Sequence, residues 1–332
     1  MGEGESGVGS RASGRQGTQC RVGAPCGLLT HAALAVISDY GLPTPDARLP
    51  TPDARLPTPD SDSFHLLIDT HCHLDADAFD ADRAQVVARA RDAGVSMMVL
   101  PAGHPEHFAQ TAAVAHGFRL SYALGTHPLW TPRATDDAID ALRTAATHAL
   151  ADTRFVAIGE IGIDLYEPAL DLPRQEWFFR EQLKVARDLA LPVIVHVRKS
   201  ADLLLKHLRR IEVPGGIVHA FNASAQQAQP FVERGFRLGF GGAMTYAGSQ
   251  RIRRFAATLP ATAWVLETDA PDIPPQWLRD RATGEAQRNE PGELPRIAQV
   301  MAELRGTTVE AIAAQNRINA CAALPRLAAL LD

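Results

Sequence analysis

The sequence predicts an α/β protein, a (β/α)8 TIM barrel preceded by a disordered N-terminal tail. Three observations carry that expectation. Short apolar runs of strand length recur at 65–69, 96–102, 120–127, 156–164, 192–198, 215–221, 236–242 and 263–269. Helical patterns separate them, which makes the sheet parallel, and eight is the strand number that closes a barrel. Several of the runs end in His, Asp or Glu, and catalytic groups of such barrels sit at the carboxyl ends of the strands. An open doubly wound sheet is the alternative, but no GxGxxG phosphate loop follows the first run to support it.

The tail is compositionally distinct. Gly, Ser and Arg dominate the first twenty residues, and Leu-Pro-Thr-Pro-Asp-Ala-Arg occurs at 42–48 and again at 49–55. Proline at every second or third position forbids helix and central strand. The organisation expected is a Pro/Gly-rich tail with heptapeptide repeats at 1–63 and a barrel at 64–332. Gly27 to Ile37 is mildly apolar but contains His31 and has no good cleavage site after it, so no signal peptide is expected.

Within the barrel, helices are expected at Asp80–Ala93, Thr135–Leu150, Arg174–Leu189 and Ala201–Ile211. In the first of these Val86, Val87 and Ala90 share a face, and Gly94 is the stop. Ser224 is placed to cap a helix ending near Gly235. A final helical segment from Thr307 to Leu330 is expected to pack outside the barrel.

Composition narrows the function. The 332 residues are 46% hydrophobic, enough for a large core, and the net charge is −5. With no basic excess, a long grip on duplex nucleic acid is excluded, though a local basic pocket is not. Cys20, Cys26, Cys72 and Cys321 have no disulfide or zinc-finger spacing, which fits a reduced, cytoplasmic setting. No apolar run reaches membrane-spanning length, so no membrane partner is expected.

The chemistry gathers at the strand ends. His71 and His73 are two residues apart, which puts both imidazoles on one face, with Cys72 turned away. Later runs end in His127, in Glu160 and Asp164, in His196 and Arg198, in His219, and in Glu267 and Asp269. These five of the twelve histidines would converge on one mouth. The remaining seven, His31, His65, His104, His107, His116, His148 and His207, read as polar residues of the tail, a strand start or helices.

The motifs match a known family over roughly 64 to 320. They are Asp69-Thr70-His71-Cys72-His73-Leu74-Asp75, Gly125-Thr126-His127-Pro128 and Gly159-Glu160-Ile161-Gly162-Ile163-Asp164, then Gln182-Leu183 and Leu191-Pro192-Val193-Ile194-Val195-His196-Val197-Arg198. Phe240-Gly241-Gly242, Thr245-Tyr246, Glu267-Thr268-Asp269-Ala270-Pro271 and Arg288-Asn289-Glu290-Pro291 complete the set. With these the sequence resembles the TatD family of metal-dependent deoxyribonucleases and hydrolases, in the amidohydrolase-like superfamily. It departs from the family at His219-Ala220-Phe221-Asn222-Ala223, where His-Cys-Phe-Ser-Gly is usual. Ala270-Pro271-Asp272-Ile273-Pro274 also replaces the common Pro-Tyr-Leu pattern.

The resemblance implies two divalent metal ions, Zn, Mn or Mg, bridged by Glu160. His71, His73 and Asp269 would complete one site, and His196 and His219 the other. Asp269 would serve as general base, and His127 and Arg198 would face the substrate phosphate. Asp164 and Glu267 would brace ligands from behind, and Asp75 would start a helix or do the same. The activity implied is a phosphodiesterase cutting DNA from its ends, of the 3'-5' exonuclease type, or acting on a small phosphodiester. A hydrolase of C–N or ester bonds in a small metabolite is the alternative. No protein partner is inferable.

Overall fold

The computed structural model describes residues 67–331 and Met1. The expected tail at 1–63 and the first two residues of the expected 65–69 strand lie outside the described residues. Eight strands, β1 (Leu67–Asp69), β2 (Val95–Pro101), β3 (Ser121–Leu124), β4 (Phe155–Asp164), β5 (Val193–Arg198), β6 (Gly216–His219), β7 (Phe236–Phe240) and β8 (Trp264–Leu266), follow one another in a single sheet. Every neighbouring pair is parallel. Five of the expected runs outlast the observed strands by one to three residues at their carboxyl ends, while those ending at Asp69, Asp164 and Arg198 stop where the strands do.

Helices occupy the crossovers. They are α1 (Arg83–Asp92), α2 (Phe108–Gly117), α3 (Asp137–Ala149), α4 (Leu172–Asp188), α5 (Ala201–Leu208), α6 (Ala225–Glu233), α7 (Gln250–Thr258), α8 (Leu294–Arg305) and α9 (Val309–Ala323). Val86, Val87 and Ala90 are the buried face of α1. Ser224 caps α6 in a reciprocal box: its hydroxyl accepts from the Gln227 N–H, and the Gln227 side chain accepts from the Ser224 N–H. This satisfies two donors that a bare helix end leaves unpaired.

Apolar side chains form two clusters. The larger lies between helices and strands. The smaller fills the barrel with Ile68, Met97, Val99, Ala123, Val156, Ala157, Ile194, Ile217 and Val265. Ala320, Ala323, Leu324 and Leu327 belong to this inner cluster. The C-terminal segment therefore corrects the expectation that it packs outside: it lies across the end of the barrel opposite the site. The reason is local chemistry, because its apolar residues plug the open end while its polar ones bond the strand ends. Arg326 donates to the carbonyls of Leu150, Asp152 and Phe155 beneath β4.

No ladder joins β8 to β1. Instead the Asn316 amide spans the gap, accepting from Leu266 N and donating to Ile68 O, each at 2.8 Å. Further toward the site, Thr70 N donates to Leu266 O at 3.1 Å and Asp269 N to His71 O at 2.8 Å. The barrel is nearly closed by strands, and the seam is completed by the Asn316 amide at one end and by these backbone bonds toward the site.

Candidate metal centre

The β1 ladder ends at Asp69, so His71 and His73 lie just beyond the strand and not on it. Their backbone nonetheless stays paired on both sides: Cys72 N donates to Val99 O at 3.1 Å and His73 N to Ala270 O at 2.7 Å. The alternation therefore survives. Cys72 turns into the outer core, and the Nε2 atoms of His71 and His73 lie 3.2 Å apart. Sheet register delivers the other groups: Gly162 pairs with His196, Asp164 with Arg198, and His196 with His219. Gly162 is required there, because a Cβ on it would fall 2.1 Å from the His196 carbonyl oxygen. On β7, a Cβ at Gly239 would fall 2.2 Å from a Glu267 carboxylate oxygen.

Glu160 stands at the middle with one oxygen in each of two clusters. Its Oε2 is 3.1 Å from His71 Nε2 and 3.6 Å from His73 Nε2. Its Oε1 is 3.0 Å from His196 Nδ1 and 3.4 Å from His127 Nε2. Asp269 Oδ1 joins the first cluster, 3.5 Å from both His71 Nε2 and His73 Nε2. His219 stacks on His71, with centroids 3.7 Å apart, and its Nε2 lies 3.7 Å from Asp269 Oδ1. His219 was expected beside His196, yet their ring centroids are 6.3 Å apart. His127, expected at the substrate, lies in the second cluster, where it, Glu160 and His196 bring possible ligand atoms together.

Electrostatics differs across the centre. Burial pushes His71 and His219 down to about 3, which keeps both imidazoles neutral with a lone pair to give. Burial also raises Asp69 and Glu267 to about 7, and it carries Asp269 well above the usual carboxylate range, helped by the charges of Asp272 and Glu160. Burial works against charge on Glu160 as well. There the neighbouring His127 and His71, with hydrogen bonds from His127 and His196, hold the carboxyl well below its ordinary value. Burial opposes a proton on His196, but hydrogen bonds to Asp164 and Glu160 outweigh it and raise that imidazole to about 9.

These residues fit a divalent cation. Bonds of about 2.0–2.1 Å to zinc place neighbouring ligand atoms about 3.3 Å apart at the corners of a tetrahedron. The separations among His71, His73, Glu160 and Asp269 run from 3.1 to 3.6 Å. The Nδ1 atoms of His71 and His219 are buried without a hydrogen-bond partner. Neutral imidazoles beside buried acids are the donor set a divalent cation takes, and the cation removes the repulsion that protonates those acids.

Several bracing residues were not singled out from the sequence. Asp69 accepts from Thr268 N at 2.9 Å, Thr268 Oγ1 at 2.5 Å and His71 N at 3.3 Å, tying β1 to the loop that carries Asp269. Two glutamines of α4 each grip a site loop: Gln175 the peptide groups of Asp164, and Gln182 those of Thr126. Asn289 donates to the carbonyls of Thr268 and Asp272 at 2.8 Å. The signal available was a buried amide or acid beside a ligand motif. Glu267 takes the N–H of Ala220 at 2.6 Å, and its Oε1 is 3.1 Å from His219 Nδ1 without hydrogen-bond alignment. Asp164 Oδ2 is 3.0 Å from His196 Nε2. Asp75 stands apart from the centre: it accepts from the Thr111 hydroxyl of α2. Arg288 binds Asp82 and Glu290 and makes a clamp on α1, away from the ligands.

Residues 68–325 match the family model described as TatD related DNase. The chain belongs to that family. It is 39% identical over 248 residues to the uncharacterized metal-dependent hydrolase YjjV of Escherichia coli strain K12, covering 74% of this chain and 93% of its relative. It is 33% identical over 244 residues to the 3'-5' ssDNA/RNA exonuclease TatD of Cronobacter sakazakii, covering 72% and 90%. The crystal structure of YjjV from Escherichia coli superposes with a TM-score of 0.74 at 37% identity, over 79% of this chain and 99% of that one. The chain is thus a metal-dependent hydrolase of the TatD-related family on a TIM barrel. Among the described residues no helix is long and apolar enough to cross a membrane.

Proposed function

We propose that the protein is a phosphodiesterase that removes nucleotides from DNA strand ends in the 3'-5' direction, with two divalent ions drawn from Zn, Mn and Mg. The observation that carries this reading is Glu160, whose two oxygens face different imidazole pairs. A carboxylate so placed suits a bridge between two cations. His71, His73 and Asp269 are assigned to one ion, and His196 and His219 to the other. The run from Phe155 to Glu167 contains no lysine to carboxylate, so the bridge is a permanent anion. When bound, the ions supply Lewis acidity at the phosphoryl oxygens and a more acidic attacking water.

The chain's own groups do the rest. Asp269, with its carboxyl raised by burial, is suited to take the water's proton. Asp164 holds the His196 ring, with its Oδ2 3.0 Å from Nε2. Glu267 supports the β6 end through Ala220 N. His127 and Arg198 are assigned to the substrate phosphate, where the planar fork of Arg198 can hold two oxygens. The two-part organisation, a tail at 1–63 and a barrel at 64–332, is part of the same reading. Cys20, Cys26, Cys72 and Cys321 have no disulfide spacing, which suits a reducing compartment, and we place the enzyme in the cytoplasm.

The test is nucleotide release from single-stranded DNA by the purified protein, before chelation, after it, and after metal is restored, with metal content measured in parallel. Release that vanishes on chelation and returns with about two ions per chain is expected, together with a steep fall for Arg198→Ala. No release, with turnover of a neutral amide or lactone, would move the assignment to C–N or ester hydrolysis of a small metabolite.

A further inference from the structure

At the rim where β4 and β5 end, two cations share one aromatic ring. The Arg198 guanidinium carbon lies 3.8 Å from the Tyr166 centroid and the Lys199 ammonium 4.5 Å. The group is tied to the metal centre. Arg198 Nη1 is 3.8 Å from Asp164 Oδ2, the same oxygen that meets His196. Asp164 Oδ1 accepts the N–H groups of Tyr166 at 2.8 Å and Glu167 at 3.2 Å. One carboxylate thus fixes both the imidazole and the turn that carries the ring.

The lysine end is fixed as firmly. Ser200 Oγ accepts from Arg198 N at 3.2 Å and donates to Ile163 O at 2.5 Å, pinning the turn between the two strands. Lys199 has φ 57°, a left-handed conformation that a lysine keeps only where its neighbours impose it. As a result its side chain lies over Tyr166. The ring attracts each cation through its π-face and so holds both at the rim. To an incoming anion Arg198 offers a planar fork and Lys199 a point charge.

We propose that Tyr166, Arg198 and Lys199 form a subsite for a second phosphate, that of the nucleotide adjoining the scissile linkage. The preferred substrate is then an oligonucleotide with at least two backbone phosphates, and an isolated phosphodiester is a poor one. Arg198 stands between the two positions; Tyr166 and Lys199 belong to the outer one. This inference rests on the phosphodiesterase reading above.

The experiment compares kcat/KM for bis(p-nitrophenyl) phosphate and for a trinucleotide in metal-loaded wild type, Lys199→Met, Tyr166→Leu and Tyr166→Phe. The salt dependence of binding to a labelled phosphorothioate oligonucleotide is measured alongside. Lys199→Met and Tyr166→Leu should lower the trinucleotide value about tenfold more than the small-diester value, mainly through KM. The salt slope for Lys199→Met should fall by about 0.7, the change for one single-strand phosphate contact. Tyr166→Phe keeps the ring and should follow wild type, which separates a lost ring from a lost fold. Equal losses on both substrates with an unchanged slope, in an active enzyme, would overturn the subsite alone. A wild type that turns over neither diester would overturn the phosphodiesterase reading and the subsite with it.

Discussion

The two sides of the centre are made of opposite materials. On the β1/β8 side, Asp69, Glu267, Asp269 and Asp272 are all buried, and burial drives their carboxyls toward the protonated form. On the β4/β5 side, Glu160 and Asp164 are buried too, yet both are held well below the carboxylate range, Glu160 by His127 and His71 and both by His196 between them. Burial is common to both sides, so it does not decide the charge; the partners do. The first side is the donor set that a divalent cation suits. On the second side the His196 imidazole already offsets part of the carboxylate charge, and the rim adds Arg198 and Lys199.

Glu160 is the residue both sides share, so removing its charge tests the division most severely. Glu160→Gln keeps the size and leaves the imidazole pairs without their common anion. Turnover should fall beyond about a thousandfold, more than the loss of one preorganised donor costs, and metal analysis should show at least one ion gone. Full metal content at near-normal rate would refute the bridge.

Asp164→Asn acts on one side only. His196 loses its carboxylate partner while the neutral amide still fills the turn. Activity or metal affinity should drop about 10- to 100-fold, with metal titration separating the two. A drop confined to stability would mean that Asp164 serves the turn and not the imidazole.

Asp69→Ala tests the other side through its scaffold. It strips partners from the Thr268 hydroxyl and from two backbone N–H groups, all buried. Denaturant unfolding should show a loss of about 1–3 kcal/mol, because leaving a buried donor unsatisfied costs more than the bond was worth. An unchanged midpoint would show that water or rearrangement replaces the carboxylate.

The smallest effect is expected outside both sides. Deleting residues 1–60 should leave melting temperature and activity intact, since Pro-rich heptads cannot add to a core. A large fall in melting temperature for the truncated protein would count against this.

The barrel was legible because strand ends and ligands coincide along the chain: six of the eight apolar runs stop where His, Asp or Glu begins. The packing of the rings was not. Strand order places His196 beside His219, but the imidazole of His219 turns to stack on His71, a choice made by ring packing that no spacing encodes. The roles of the α4 glutamines were equally hidden: Gln182 lies in a matched motif and Gln175 does not, yet neither shows which loop it grips until that loop is placed. The last helix was misjudged for a related reason: its alanines fit an outer face as well as a plug, and only Asn316 and Asn319, aimed at strand ends, tell the two apart.

The seam closed by Asn316 has a consequence in time. That amide belongs to α9, which follows all eight strands, and it supplies bonds that strands β1 and β8 do not give each other. All eight strands are therefore made before this bridge can form. Until then the edges of the first and last strands stay open to other chains. Arrested nascent chains ending before residue 316 should remain protease-sensitive near β1, and chains released past it should not. The centre is assembled across that same seam, from His71 and Asp269, so metal capture should follow closure of the seam.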